Sequence, residues 1–101
     1  MTAVRVAALD EVAPGQPRTV AIDGRAVVLA RHGDAVYACA AVCTHRGGPL
    51  GEGRLTGTRL VCPWHGWMFD VRSGTCLMPA RGTALATYPV RVQDGDVWVD
   101  A

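Results

Sequence analysis

Apolar and polar residues alternate in short runs along most of this chain, and the runs predict strands rather than long helices. Thr2–Leu9 alternates weakly and predicts a first strand, which Ala13-Pro14-Gly15-Gln16-Pro17 breaks. Arg18–Ile22 and Arg25–Ala30 flank Asp23-Gly24, a pair suited to a two-residue hairpin turn. His32-Gly33-Asp34 makes the next turn, followed by a strand over Ala35–Ala40. Arg59–Val61 and Trp67–Val71 read as short strands, with Ser73-Gly74 turning a hairpin. Thr87–Val92 and Val97–Val99, joined through Asp94-Gly95, predict the closing strands.

The rhythm changes between Ala41 and about Arg81. Eight of the twelve Gly fall between Gly47 and Gly82, and this stretch also holds three of the four Cys and two of the three Trp. The pattern is an all-β body interrupted by an irregular, Gly-rich insert, where loops held by a rigid scaffold are the place to look for chemistry. The 101 residues make a single domain, and 50% apolar with 19% charged residues suits a globular core. A net charge of +1 gives no reason to expect nucleic-acid binding. All ten basic residues are Arg, which excludes any mechanism needing a Lys amine. No apolar run is long enough to span a membrane. The N-terminal residues lack the apolar core of an export signal, so the expected compartment is the cytoplasm. Thiols or thiolate ligands then fit the Cys better than disulfides.

Two short motifs stand in the insert. Cys43-Thr44-His45 and Cys62-Pro63-Trp64-His65 each offer one thiolate and one imidazole, and sixteen residues separate His45 from Cys62. Gly47-Gly48-Pro49 follows the first motif and Gly66 the second, so backbone N–H groups can approach a bound anion closely. Inorganic sulfide is such an anion, and hydrogen bonds to it tune a redox potential.

Cys43-Thr44-His45-Arg46-Gly47-Gly48-Pro49-Leu50 and Cys62-Pro63-Trp64-His65-Gly66-Trp67-Met68-Phe69-Asp70 resemble the two cluster loops of the Rieske family of 2Fe–2S proteins. Gly74, Pro79-Ala80 and Tyr88-Pro89-Val90-Arg91-Val92 with Asp94-Gly95 also fit a stand-alone Rieske ferredoxin. The resemblance implies a Rieske-type fold: a small antiparallel β-sandwich body, residues 1–40 and 82–101, with a cluster-binding subdomain of two loops inserted at about 41–81. It implies one 2Fe–2S cluster per chain, with Cys43 and Cys62 on an inner iron and His45 and His65 on an outer one. Two ferric ions, two sulfides and two thiolates sum to zero, so adding an electron costs less than at an all-Cys cluster, and the potential rises. A disulfide bridges the loops in respiratory and photosynthetic relatives. Its positions fall here at Gly48 and Trp64, and the positions of a Ser and a Tyr hydroxyl fall at Trp67 and Phe69. Fewer donors place the expected potential at the low end of the range, roughly −150 mV.

The implied function is one-electron transfer by a soluble monomer, from a ferredoxin reductase to the terminal oxygenase of a ring-hydroxylating dioxygenase system. The alternative is a small subunit of a larger oxidoreductase, such as assimilatory nitrite reductase. Only His32 remains beyond the four ligands, which excludes a second iron site of two His and a carboxylate. No flavin or nicotinamide fingerprint is present, which argues against the reductase role. A structural zinc site is the rival for the Cys/His set, although its usual spacing is different. A four-Cys cluster using Cys39 and Cys76 would leave both His unexplained. Cys39 is expected to pack in the core, Cys76 to be a spare thiol after a turn, and His32 to be solvated. Trp98 is expected in the core. Trp64 and Trp67 either shield the cluster or pack between the loops, with shielding expected of Trp64, and Arg46 either helps dock a partner or is an ordinary exposed Arg.

Overall fold

The computed structural model describes residues 3–64 and 66–101. Among them are eleven strands, β1 Ala3–Ala8, β2 Arg18–Ile22, β3 Arg25–His32, β4 Ala35–Ala40, β5 Arg54–Thr56, β6 Arg59–Val61, β7 Met68–Asp70, β8 Cys76–Met78, β9 Thr87–Tyr88, β10 Val90–Gln93 and β11 Asp96–Asp100. They form three antiparallel sheets, ordered β1-β11-β10, β2-β3-β4-β9 and β5-β6-β7-β8. The only helical elements described are two short 3₁₀ turns, Leu9–Glu11 and Leu50–Glu52. No helix among the described residues is long and apolar enough to cross a membrane.

The hairpins follow from their turn residues. Asp23 and Gly24 have φ of 51° and 76°, and Asp94 and Gly95 have 53° and 76°. Paired left-handed residues give the turn whose twist matches the flanking strands, and they set the registers Ile22↔Arg25 and Gln93↔Asp96.

The sheet containing β3 is the middle layer. Val27 and Leu29 join a core with Ala7, Ile22, Val97 and Val99, while Val28 and Ala30 join another with Leu50, Leu60, Phe69 and Val71. Successive side chains on a strand point to opposite faces, so a strand covered on both sides reads as an unbroken apolar run. That is the origin of Val27-Val28-Leu29-Ala30, each at most 1% exposed. Full burial of Phe69, Leu50 and Leu60 contributes roughly 1.5–3 kcal/mol each and ties the small sheet to the middle one.

Three expectations are corrected. The closing strand expected over Thr87–Val92 is two strands: Tyr88 pairs with Ala38 in the middle sheet, whereas Val90 pairs with Val99 in the three-stranded one. Pro89 stands at the crossing, where its missing N–H costs no ladder bond, and its carbonyl accepts from Asp100 N–H at 3.0 Å. Trp98 is half-buried on the outer face of β11, because Val97 and Val99 take the inward positions. His32 ends β3 opposite Ala35 rather than lying in the turn, and it is exposed. Cys76, expected as a spare thiol after a turn, is a free thiol that opens β8 and is buried, its Sγ donating to Pro79 O at 3.2 Å.

Beyond β7 the chain is held by Asp70. Its carboxylate accepts from Arg72 N–H at 2.9 Å and from the Arg72 guanidinium at 2.8 and 3.1 Å. These bonds hold the Asp70 carboxyl below its usual range, against a smaller opposing effect of burial. A carboxyl lowered in the folded state adds stability above its unfolded pKa of about 4, and loses it as pH falls through the folded value. Asp70→Asn is therefore expected to unfold at lower temperature than the parent at pH 7, with a smaller gap at pH 3, below the unfolded value of about 4. Thermal melts at both pH values check this, and an equal gap at both would contradict it.

Candidate metal centre

The first candidate loop, residues 42–49, leaves the end of β4, and the second, residues 62–67, joins β6 to β7. Each contains the same turn. Gly47 N–H donates to Cys43 O at 2.9 Å and Gly66 N–H to Cys62 O at 3.1 Å. Cys43 N–H donates to Gly48 O at 2.9 Å and Cys62 N–H to Trp67 O at 2.8 Å. The closing glycines have φ of 73° and 74°, a left-handed conformation that L side chains resist. One turn is thus built twice. The sequence signal for it was the shared spacing of Cys, three residues, then Gly, which the different His positions obscure.

The two turns bring Cys43 and Cys62 together. Both are buried, and their thiols face one another closely enough for Cys62 to perturb the ionisation of Cys43. Burial pushes the Cys43 thiol up from its ordinary value; the Cys62 thiol adds to the rise, while backbone N–H groups of His45 and Arg46 oppose it. Those two N–H groups favour a thiolate at Cys43. Gly48 fits into the joint: a methyl there would lie 2.6 Å from Cys62 Sγ and 3.3 Å from the Trp64 ring.

His45 is half-buried, its ring stacked on Trp67 at a centroid distance of 4.4 Å and an angle of 7°. Trp67 tilts against the buried Phe69 at 6.4 Å. Trp64 lies against Gly48 yet keeps 57% of its surface exposed, so the aromatic packed on the candidate ligand is Trp67. His65 lies outside the described residues.

A third loop, residues 78–83, closes over the site from the other side. Thr44 Oγ1 donates to Thr83 O at 2.7 Å, and a methyl on Gly82 would lie 2.7 Å from the Trp67 ring and collide with the Cys76 sulfur. Cys76 is therefore a packing thiol beneath Trp67. Cys39, on β4, is fully buried, and burial pushes its thiol up to about 12. All four Cys are free thiols, so no Cys39–Cys76 bridge is present.

Among the described residues no three Cys, His, Asp or Glu side chains converge where one ion could bind them together. Cys43, Cys62 and His45 are accordingly not gathered on one point.

An all-β scaffold presenting two Cys/His loops defines a class of iron–sulfur domain. A family model described as the Rieske [2Fe-2S] domain matches residues 2–89, and the chain belongs to that family. The ferredoxin CarAc of Metapseudomonas resinovorans is 37% identical over 100 residues, covering 95% of this chain and 91% of the relative. The solved ferredoxin of carbazole 1,9a-dioxygenase from Nocardioides aromaticivorans superposes with a TM-score of 0.92 at 35% identity, covering 98% of this chain and 97% of that one. A ferredoxin solved in complex with the reduced oxygenase of carbazole 1,9a-dioxygenase gives a TM-score of 0.89 at 34% identity, covering 96% and 91%. A nitrite reductase small subunit from Mycobacterium tuberculosis gives 0.87 at 27%, covering 97% and 93%.

The family's group is one 2Fe–2S cluster per chain. The residues present fit it. Two adjoining buried sulfurs supply thiolates, N–H groups already aim at one of them, and Gly48 leaves free the space beside Cys62 Sγ that a side chain would fill.

Proposed function

We propose that the chain is a one-electron carrier in which Cys43 and Cys62 hold the inner iron of the cluster and His45 and His65 the outer one. It takes an electron from a reductase and passes it to a terminal, ring-hydroxylating oxygenase. The observation that carries this reading is the meeting of the Cys43 and Cys62 thiols at Gly48, with His45 partly exposed beside them. When bound, the cluster supplies a reversible one-electron couple. Burial of Cys43 and Cys62 keeps water from the sulfurs, the His45 and Arg46 N–H groups stabilise negative charge at Cys43, and Trp67 fixes the plane of the His45 ring. The chain is then the electron-transfer component of a multicomponent system rather than an enzyme. The relatives' names support such a system, and one related ferredoxin has been solved with its oxygenase.

In this reading residues 41–81 are the cluster-binding part and residues 1–40 with 82–101 the body. Four free Cys fit a reducing compartment, which supports a cytoplasmic location. The protein acts as a monomer that meets its partners transiently, over less than roughly 1,200 Å². The small-subunit reading is favoured only by the likeness to the nitrite reductase subunit. Purification as a stable hetero-complex would select it.

The test is EPR of the dithionite-reduced protein with pulsed detection of nitrogen coupling. A rhombic 2Fe–2S signal coupled to two imidazole nitrogens is expected. Iron-replete protein without nitrogen coupling would overturn the ligand set.

A further inference from the structure

Side chains of the small sheet and of the middle sheet together line a cleft of about 370 Å³. His32 ends β3 and Tyr37 lies on β4, while Thr56 ends β5, Thr58 stands in the turn after it, Arg59 opens β6 and Arg72 follows β7. The turn abuts the end of β3, since a methyl on Gly57 would lie 4.0 Å from His32 Cε1. Arg59 stands opposite Asp70 in the strand register, and Asp70 holds Arg72, so the two Arg are anchored around one carboxylate.

The polar groups of this cleft are donors that the protein leaves unused. Among the described residues, the side chains of His32 and Arg59 and the hydroxyls of Tyr37, Thr56 and Thr58 form no hydrogen bond or ion pair. Arg72 gives Nε and Nη2 to Asp70 and keeps Nη1 uncommitted. The bidentate pair fixes the plane of this guanidinium before any ligand arrives. No carboxylate among the described residues lines the cleft. Imidazole and hydroxyl accept as well as donate, but guanidinium only donates, so the occupant that uses all of these groups is an anion. The charge balance sets its valence. Arg59 and Arg72 against Asp70 leave one positive charge, which matches a carboxylate better than a phosphate dianion.

Tyr37 and Arg72 also line an adjoining cleft of about 450 Å³, whose further walls include Val36, Val71, Tyr88, Pro89 and Val90. One end of the groove thus suits charge and the other apolar surface. Both Tyr of the chain border the apolar end, and aromatic faces suit a flat ring. We propose that this groove is a binding site for an aromatic carboxylate, its carboxylate on Arg59 and Arg72 Nη1 and its ring in the cleft bordered by Tyr37 and Tyr88. Cys43, His45 and Cys62 line neither part, so the site does not depend on the carrier reading. The bound acid ties β6 to β4, the strands that lead into the two candidate loops, and so raises the melting temperature of the holoprotein.

The experiment is calorimetric titration of the oxidised holoprotein, at neutral pH and fixed ionic strength, with benzoate, acetate, inorganic phosphate and benzyl alcohol. Benzoate is expected to bind with unit stoichiometry, about fivefold or more tighter than any of the other three. Arg59→Gln is expected to weaken benzoate about fivefold or more. Arg25→Gln removes the same charge at the exposed β2–β3 hairpin and is expected to leave benzoate binding unchanged. Thr87→Trp, which fills the second cleft from its exposed rim, is expected to bring benzoate down to the affinity of acetate. Thermal melts give a second readout: the same benzoate concentration raises the melting temperature of the parent and of Arg25→Gln, and raises that of Arg59→Gln much less. Absorption spectra confirm that each variant carries its cluster. No saturable binding by roughly 10 mM benzoate would overturn the site. So would an equal loss in Arg59→Gln and Arg25→Gln, which would show attraction by net charge alone. Phosphate binding tighter than benzoate would overturn the carboxylate, and benzyl alcohol binding as tightly as benzoate would overturn the role of the two Arg. Benzoate no tighter than acetate, or untouched by Thr87→Trp, would overturn the place of the ring.

Discussion

Gly48→Val is expected to purify with about a tenth or less of the parent's iron and sulfide, because it fills the space on which the two cluster loops meet. A methyl at this position already lies 2.6 Å from Cys62 Sγ and 3.3 Å from Trp64, and the Gly48 carbonyl closes the first loop by accepting from Cys43 N–H. The neighbours have little room to give. Cys62 is buried and fixed by backbone bonds to Gly66 and Trp67, and moving it moves a proposed ligand. The body does not share the damage, since Val27, Leu29, Val97 and Val99 lie in a separate core. The expected result is therefore a folded, colourless protein: far-UV circular dichroism like the parent's, with iron and acid-labile sulfide lost. Gly66→Ala is the comparison. Nothing lies within 4 Å of its added methyl, so only the backbone strain of φ 74° acts there, and a partial loss of cluster is expected. Parental cluster content in Gly48→Val would show that the loops meet elsewhere.

The strands that were legible in the sequence are those whose ends carry a turn residue and whose length allows alternation to register. β2 and β4 match their expected limits for this reason; the three-residue β6 matches because it is bounded by Gly57-Thr58 and the Cys62 loop. β5 and β8 were not legible. β5 has one apolar position, Leu55, which makes no pattern, and β8 is apolar throughout, Cys76-Leu77-Met78, with Cys76 alone buried, so it shows no alternation. The apolar run in β3 hid its alternation because both faces of the middle sheet are covered. Trp98 was misread through size alone; parity with Val97 and Val99 would have placed it outward. At the candidate centre, the residue types carried the chemistry, so Cys43, His45, Cys62 and His65 stood out as a set. What joins the set was hidden. The contact of Gly48 with Cys62 and that of Gly82 with Trp67 link residues more than a dozen apart, and a glycine announces space without saying what occupies it.

The reduction potential of the loaded protein is expected near roughly −150 mV, at the low end of the Rieske range. Two opposing effects set it. Imidazole in place of thiolate on one iron leaves the oxidised centre uncharged, which lifts the potential well above the roughly −400 mV of plant-type all-Cys ferredoxins. Hydrogen bonds to the sulfurs would lift it further, because they favour the electron-rich reduced state. Here those donors are few. His45 and Arg46 N–H groups point to Cys43, but the only hydroxyl carried by either cluster loop, that of Thr44, is committed to Thr83 O at 2.7 Å. Trp67 and Phe69 occupy the two positions where a hydroxyl would matter most. Phe69 has none and is wholly buried, and Trp67 spends its face on His45. Substitution of imidazole sets the floor, and the shortage of donors keeps the protein close to it. That value suits a carrier poised to accept from a reductase and to give onward to an oxygenase. Spectroelectrochemical titration at neutral pH measures it directly. A midpoint above about +100 mV would mean that sulfur-directed donors beyond these N–H groups exist, and would contradict the account of the loops given above.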